Sequence, residues 1–272
     1  MVNYIIPQKR RNFLGSLSAT NQLILINVVL FFVSYFLISI YGKDFFLNNL
    51  AITPSLILAG ENLWTFITSM FLHAGFFHIF ANMFSLFFIG NFLEKIVGKK
   101  RFLLLYLISG LIAGIFFVSS GSIFNSDVPG IGASGAIFGL LGVLAILVPY
   151  SRIYLIVGPL ILIFLGFVIG KIIPLNFLSV FNMVINVLII LMIFSIFSFN
   201  PKIRRFAIPL ELPMWLLPII AIIPLTIISF FVDLPIGNSA HFGGLVTGIF
   251  YGLYLRKKFP RKTNMIRKHF NK

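Results

Sequence analysis

The 272-residue chain contains no cysteine and only six acidic residues. The absence of cysteine excludes disulfides and any thiolate-bound metal. The carboxylates are Asp44, Glu61, Glu94, Asp127, Glu211 and Asp233, and none lies mid-helix beside a histidine. Paired-carboxylate hydrolysis therefore has little to work with. No His-Glu-x-x-His spacing appears among the four histidines, so no metal and no cofactor are expected. Charge of either sign is scarce as well. Charged residues make up 10% of the chain, against 59% hydrophobic. A soluble domain of this size keeps a charged shell, and this one has too little charge to form it. There is also no internal repeat and no low-complexity linker, so a single domain over residues 1–272 is the simplest expectation.

What is present comes in long apolar blocks. A helix needs roughly 20 apolar residues to cross a bilayer core. Eight such segments are expected, at about 21–41, 75–95, 101–119, 134–149, 153–170, 177–199, 208–232 and 240–256. Turn and charge signals separate them, among them Gly98-Lys99-Lys100-Arg101, Asp127-Val128-Pro129-Gly130 and Asn200-Pro201. The first run, preceded by Lys9, Arg10 and Arg11, is long enough to stay as an anchor and resembles no cleavable leader.

The net charge of +15 raises the question of nucleic acid, and its distribution answers it. With both termini placed in the cytoplasm, 19 of the 21 basic residues fall inside, and only Lys43 and Lys171 fall outside. That asymmetry follows the positive-inside rule. The positive charge is scattered over loops, a basic amino-terminal stretch (1–20) and a basic tail (257–272), so no nucleic-acid partner is expected. The tail is suited to anionic lipid heads of the bilayer. The loop from Gly42 to Leu63 mixes Phe45, Phe46, Leu47 and Leu50 with Asn48 and Asn49, a composition that fits the membrane interface.

Polar groups in hydrocarbon are costly and call for a partner or a task. Ser134 stands in Gly132-Ala133-Ser134-Gly135, where an apolar helix begins. A serine there is often a simple N-cap. The flanking glycines, though, let another backbone approach, and a helix start offers free amides to an oxyanion. A nucleophilic serine needs a base. His269 lies in the basic tail, which leaves His73, His78 and His241. His241 opens a helix carrying Gly244, Gly248 and Gly252, and the serine helix carries Gly135, Gly139 and Gly142. Two such glycine faces can pack closely and bring Ser134 and His241 together at the same end of the bundle. The bland reading of His241 is a capping histidine at the interface. His78 and Asn82, four residues apart, share a helix face and are candidates for oxyanion stabilisation; the bland reading there is an interhelical hydrogen bond.

Together these residues resemble the rhomboid intramembrane serine proteases. His78-Ile79-Phe80-Ala81-Asn82, Gly132-Ala133-Ser134-Gly135 and Ala240-His241-Phe242-Gly243-Gly244 with Gly248 carry the likeness, in that order. His73 and Glu94 through Gly98 also fall at family-like spacing. The resemblance implies an all-α polytopic membrane fold with a six-helix core. Two extra transmembrane helices would then be inserted between the nucleophile helix and a gate helix that holds Pro213, Pro218 and Pro224. It implies a Ser134–His241 dyad, with His78, Asn82 and the Ser134 amide around the oxyanion. Gly132, Gly135, Phe138, Gly244 and Gly248 would serve substrate approach and packing, and Asp233 to Ser239 would cap the site. Substrates would be transmembrane segments of other proteins, and the expected location is the cell membrane of a prokaryote. Two positions depart from the family. Trp64 is followed by Thr65 where Arg is usual, and Phe138 stands where Tyr is frequent. The alternatives are a catalytically inactive, client-binding relative and a small transporter.

Overall fold

The computed structural model describes residues 17–196, 198–229 and 237–270. The basic cluster Lys9, Arg10 and Arg11, residues 233–236 of the expected capping loop, and Lys272 lie outside the described residues.

In chain order the elements are α1 (Ala19–Tyr41), α2 (Lys43–Leu50), α3 (Pro54–Leu58), α4 (Thr65–Thr68), α5 (Phe76–Val97), α6 (Lys99–Phe124) and α7 (Ser134–Leu147). Then come β1 (Arg152–Ile156), α8 (Val157–Gly170), α9 (Leu175–Ser195), α10 (Pro201–Arg205), β2 (Pro209–Pro213), α11 (Leu217–Ser229), α12 (Asn238–Lys258) and α13 (Pro260–Phe270). Four of these helices, α1, α5, α6 and α9, are long and apolar enough to cross a membrane, by length and composition. Large apolar side chains stand on the outside, Phe32 at 67% and Phe36 at 64% exposure among them. In water such a surface would aggregate; in lipid it is the solvated face.

The chain divides into two compact units. The first comprises the residues up to Pro149 and those from Trp215 onward. Its centre is α6, α7 and α12, and Phe102, Leu105, Tyr106, Leu140, Val143, Leu144 and Leu147 form the core among them. Helix α1 begins where α5 ends. Ser18 Oγ accepts the Asn21 amide at 3.1 Å. The Glu94 carboxylate accepts the Ala19 amide, the Thr20 amide and the Thr20 hydroxyl, each at 2.8 Å. A negative charge against unpaired amides at a helix start is favourable in both charge and hydrogen bonding. Glu94, near the end of α5, thus anchors α1 from outside it.

Within the connection between α1 and α5, the stretch Gly42 to Leu63 carries two short helices, α2 and α3, where composition had suggested a half-apolar loop. It is tied down at several points. Trp64 Nε1 donates to Asn49 O at 2.8 Å, and Asn62 Nδ2 donates to Asn48 O at 2.8 Å. Asp127 accepts both the Ser55 amide (2.8 Å) and the Ser55 hydroxyl (2.6 Å). Ile52 and Gly130 exchange backbone hydrogen bonds of 3.0 and 2.8 Å, an isolated antiparallel bridge. The segment leading into Ser134 is therefore stitched to the α1–α5 connection.

The second unit, Tyr150–Met214, is a helical hairpin closed by a ribbon. Helices α8 and α9 pack on one another, and β1 pairs antiparallel with β2 from Arg152↔Pro213 to Ile156↔Pro209. This corrects two expected boundaries. Residues 153–156 and 209–213 are strands and do not begin membrane helices. The sequence Arg-Ile-Tyr-Leu-Ile is β-branched and aromatic, and Pro213, with no amide to donate, would interrupt a helix begun at 208. Arg152 and Glu211 form an exposed ion pair across the ribbon at 3.4 Å, a contact that adds little stability.

Candidate active site

Close contact between α7 and α12 builds the site. A β-carbon on Gly244 would collide with the Gly135 carbonyl, and one on Gly248 with the Gly139 carbonyl. Only glycine lets the two backbones come this near, as in other membrane helix pairs with small residues at the seam. The third expected glycine pair differs. Gly142 faces backbone at Leu245, Gly248 and Ile249, and Gly252 faces the Ile146 side chain. Both α7 and α12 start at the same end, so their first turns lie side by side.

There Ser134 Oγ lies 2.8 Å from His241 Nε2. His241 is buried, and the Phe138 ring stacks on it at 4.4 Å with an interplanar angle of 21°. Among the described residues the other ring nitrogen, Nδ1, has no hydrogen-bond partner, so no carboxylate orients the imidazole. If Nε2 accepts the serine hydroxyl, Nδ1 carries the ring proton. Phe138, one turn along α7 from Ser134, fixes the ring plane by stacking instead.

His78 approaches from α5. Its Nδ1 accepts the Ala74 amide at 3.3 Å, which leaves the proton of a neutral ring on Nε2 as a donor. Gly132 has φ +129°, a region that strains other residues. A β-carbon there would lie 2.9 Å from His78 Nε2 and 3.8 Å from Ser134 Oγ. The missing side chain thus leaves open the space between the imidazole donor and the serine hydroxyl. The Gly132 amide donates to Ser69 O at 2.8 Å, which holds this turn against the short helices that precede α5. Asn82 is buried one turn beyond His78, and its Nδ2 donates to His78 O at 2.9 Å. One amide hydrogen is used in that bond and the second remains. Because α7 begins at Ser134, the Ser134 amide has no intrahelical acceptor.

His73 is buried beside the site, its ring edge-on to His78 at 5.1 Å. Burial, and then the neighbouring His78, pull its pKa down to about 3. It is neutral at ordinary pH and packs against the His78 ring. His269 lies on α13, far along the chain in the basic tail, against the Phe270 ring. Gly132, Gly135, Phe138, Gly244 and Gly248 all fall at the contacts described. The sequence marks Asp127 only as a carboxylate in a turn and gives no sign of its tie to Ser55. They stand 72 residues apart, with no local spacing to link them.

RHOMBOID-like protein 1 of Arabidopsis thaliana is 45% identical over 92 residues, 34% of this chain and 23% of its own length. The putative rhomboid protease YdcA of Bacillus subtilis is 41% identical over 95 residues, 35% of this chain and 46% of its own length. The inactive RHOMBOID-like protein 8 of Arabidopsis thaliana is 37% identical over 82 residues, 30% of this chain and 22% of its own length. The chain thus spans less than half of the length of each of these relatives. A family model, the Rhomboid domain, matches residues 60–197, a stretch that holds His78, Asn82 and Ser134 and stops short of His241. That match covers just over half of the chain, and the protein belongs to the Rhomboid family.

Proposed function

We propose that the protein is an intramembrane serine endopeptidase that hydrolyses peptide bonds in or next to transmembrane segments of other membrane proteins. The observation that carries this reading is the 2.8 Å contact between Ser134 Oγ and His241 Nε2. It supplies a nucleophile already hydrogen-bonded to a base, the arrangement that serine hydrolysis needs. The family includes relatives named as proteases and one named inactive. The paired serine and histidine favour the active kind, and they give a transporter no evident task.

In the proposed reaction Ser134 Oγ attacks the scissile carbonyl carbon while His241 Nε2 takes the hydroxyl proton. The carbonyl π pair moves to oxygen. The resulting oxyanion is held by the Ser134 amide, His78 Nε2–H and the second Asn82 amide hydrogen. As the tetrahedral species collapses, the C–N bond breaks and His241 passes its proton to the leaving amine. A water then attacks the acyl-serine, with His241 again taking and returning a proton, and frees the carboxylate and Ser134. Without a carboxylate partner, Phe138 keeps the imidazole in plane. Oxyanion donors of this sort lower barriers most where water is excluded.

The orientation belongs to the same proposal: both termini cytoplasmic, the dyad toward the outer face, and α8 and α9 as two further membrane helices between α7 and the gate helix α11. A serine-directed fluorophosphonate tests the site in the purified protein. Labelling of the native chain that both Ser134→Ala and His241→Ala abolish supports the dyad. Labelling that survives Ser134→Ala contradicts it, as does a folded native chain that resists the probe.

A further inference from the structure

Helix α9 is long and apolar enough to span a bilayer, and only 11% of its most hydropathic stretch is buried. Within it Asn176, Ser179, Asn182 and Asn186 are all exposed. Their spacings of three, three and four place them on one face, over roughly 15 Å of helix. The α8-facing side of α9 is a different one. Leu178, Phe181 and Ile185 approach Gly170 and Gly166, and Met192 approaches Gly158. At about 100° per residue the polar stripe lies roughly 120° around the helix from that contact.

The asparagines are not neutralised locally. Elsewhere in the membrane helices Asn27, Asn82 and Asn91 turn their amides back onto the carbonyls of Leu23, His78 and Phe87, at 2.8, 2.9 and 2.8 Å. Among the described residues, the side chains of Asn176, Ser179, Asn182 and Asn186 make no hydrogen bond. Facing lipid, three unpaired carboxamides are a standing cost, and polar groups at such positions commonly bond across to another helix.

We infer that this stripe is an interface between two copies of the chain, formed by α9 against α9. A carboxamide carries donor and acceptor together, so identical stripes satisfy each other. Two copies in one membrane share an orientation. A twofold axis along the membrane normal therefore sets Asn182 against Asn182 and Asn186 against Asn186 at matching depth. A partner without amides at these depths leaves the same groups unpaired. Met183 and Ile190, also exposed along this side, supply apolar contact between the polar pairs. The inference does not depend on proteolysis and fails or stands separately from it.

The native chain has no cysteine, which makes oxidative cross-linking clean. Ser179→Cys places a small thiol on the stripe and keeps all three amides; Val184→Cys places one on the lipid-exposed side away from it. In liposomes at low protein-to-lipid ratio, copper-phenanthroline oxidation should join the Ser179→Cys protein into a disulfide dimer and leave the Val184→Cys protein monomeric. Adding Asn182→Leu with Asn186→Leu should lower the dimer fraction about tenfold, and Asn182→Gln with Asn186→Gln should keep it. Equal cross-linking at both cysteines, a monomeric Ser179→Cys protein, or a dimer indifferent to the leucines would overturn the proposal. The glutamine pair separates loss of amide chemistry from disturbance of the helix.

Discussion

At the residue scale, each polar side chain near Ser134 is assigned by what its atoms touch. His78 has Nδ1 occupied by the Ala74 amide and Nε2 turned toward the space beside Gly132. Asn82 has one amide hydrogen committed to its own helix. In the proposed reaction both would donate to the charge that develops on the substrate oxygen, and neither bonds the serine in this structure. His78→Ala and Asn82→Ala should each lower kcat by about 10²-fold, with KM changed far less. Steady-state cleavage kinetics read the split, and equal losses in kcat and affinity would assign these residues to substrate binding instead. Phe138→Ala should also reduce kcat, up to about 10²-fold, because the imidazole loses the ring that fixes its plane. Phe138→Tyr should keep the stacking and the rate. The meeting of Ser134 and His241 was legible in the sequence because glycines mark the turn before one and the helix after the other. Phe138 was marked only by the family resemblance, and its stacking on His241 comes from the structure. His73 was visible only as a spacing, and its burial against His78 depends on how the segment before α5 folds.

At the element scale, the site depends on how closely α7 and α12 approach. A methyl group on Gly248 meets the Gly139 carbonyl, which belongs to a helix backbone and cannot swing aside. A methyl on Gly110 meets the end of the Met70 side chain, which can. Gly248→Ala should therefore destabilise the protein by about 3 kcal/mol and lower activity further by parting the dyad. Gly110→Ala should cost about 1 kcal/mol or less. Thermal unfolding in detergent, with activity measured in parallel, distinguishes them; equal effects would mean that the close seam does not govern stability. This contact was readable in advance because Gly244, Gly248 and Gly252 recur at spacing four on α12, and Gly135 and Gly139 stand four apart on α7. The ribbon of β1 and β2 was not. Its strands are five residues each, separated by 52 residues, and each borders an apolar run that hides it. The Glu94 anchor on α1 was equally hidden. Its spacing pointed to the family and not to the three hydrogen bonds that it accepts from another helix.

At the scale of the whole molecule, charge placement and helix order make one arrangement in the membrane. If both termini are cytoplasmic, the turn between α8 and α9 faces outward and α10 faces inward. Ile172, 79% exposed in that turn, can be replaced by Cys in the cysteine-free chain, and Lys202 in α10 likewise. A membrane-impermeant maleimide should label Ile172→Cys in intact cells, and should label Lys202→Cys only after permeabilisation. The reverse pattern would invert the topology and put the dyad at the inner face. The apolar blocks made membrane embedding plain in the sequence, and the basic residues, 19 of which fall inside if both termini are cytoplasmic, supply the orientation that the labelling tests. Lipid contact leaves a continuous compositional record, whereas pairings between distant loops leave none.

The most direct measurement is cleavage of a model transmembrane substrate reconstituted with the purified protein in liposomes, comparing the native chain with Ser134→Ala and His241→Ala. The dyad predicts site-specific cleavage by the native chain and a loss of at least about 10³-fold in both variants. Cleavage that persists in Ser134→Ala, with the protein folded and inserted, would contradict it.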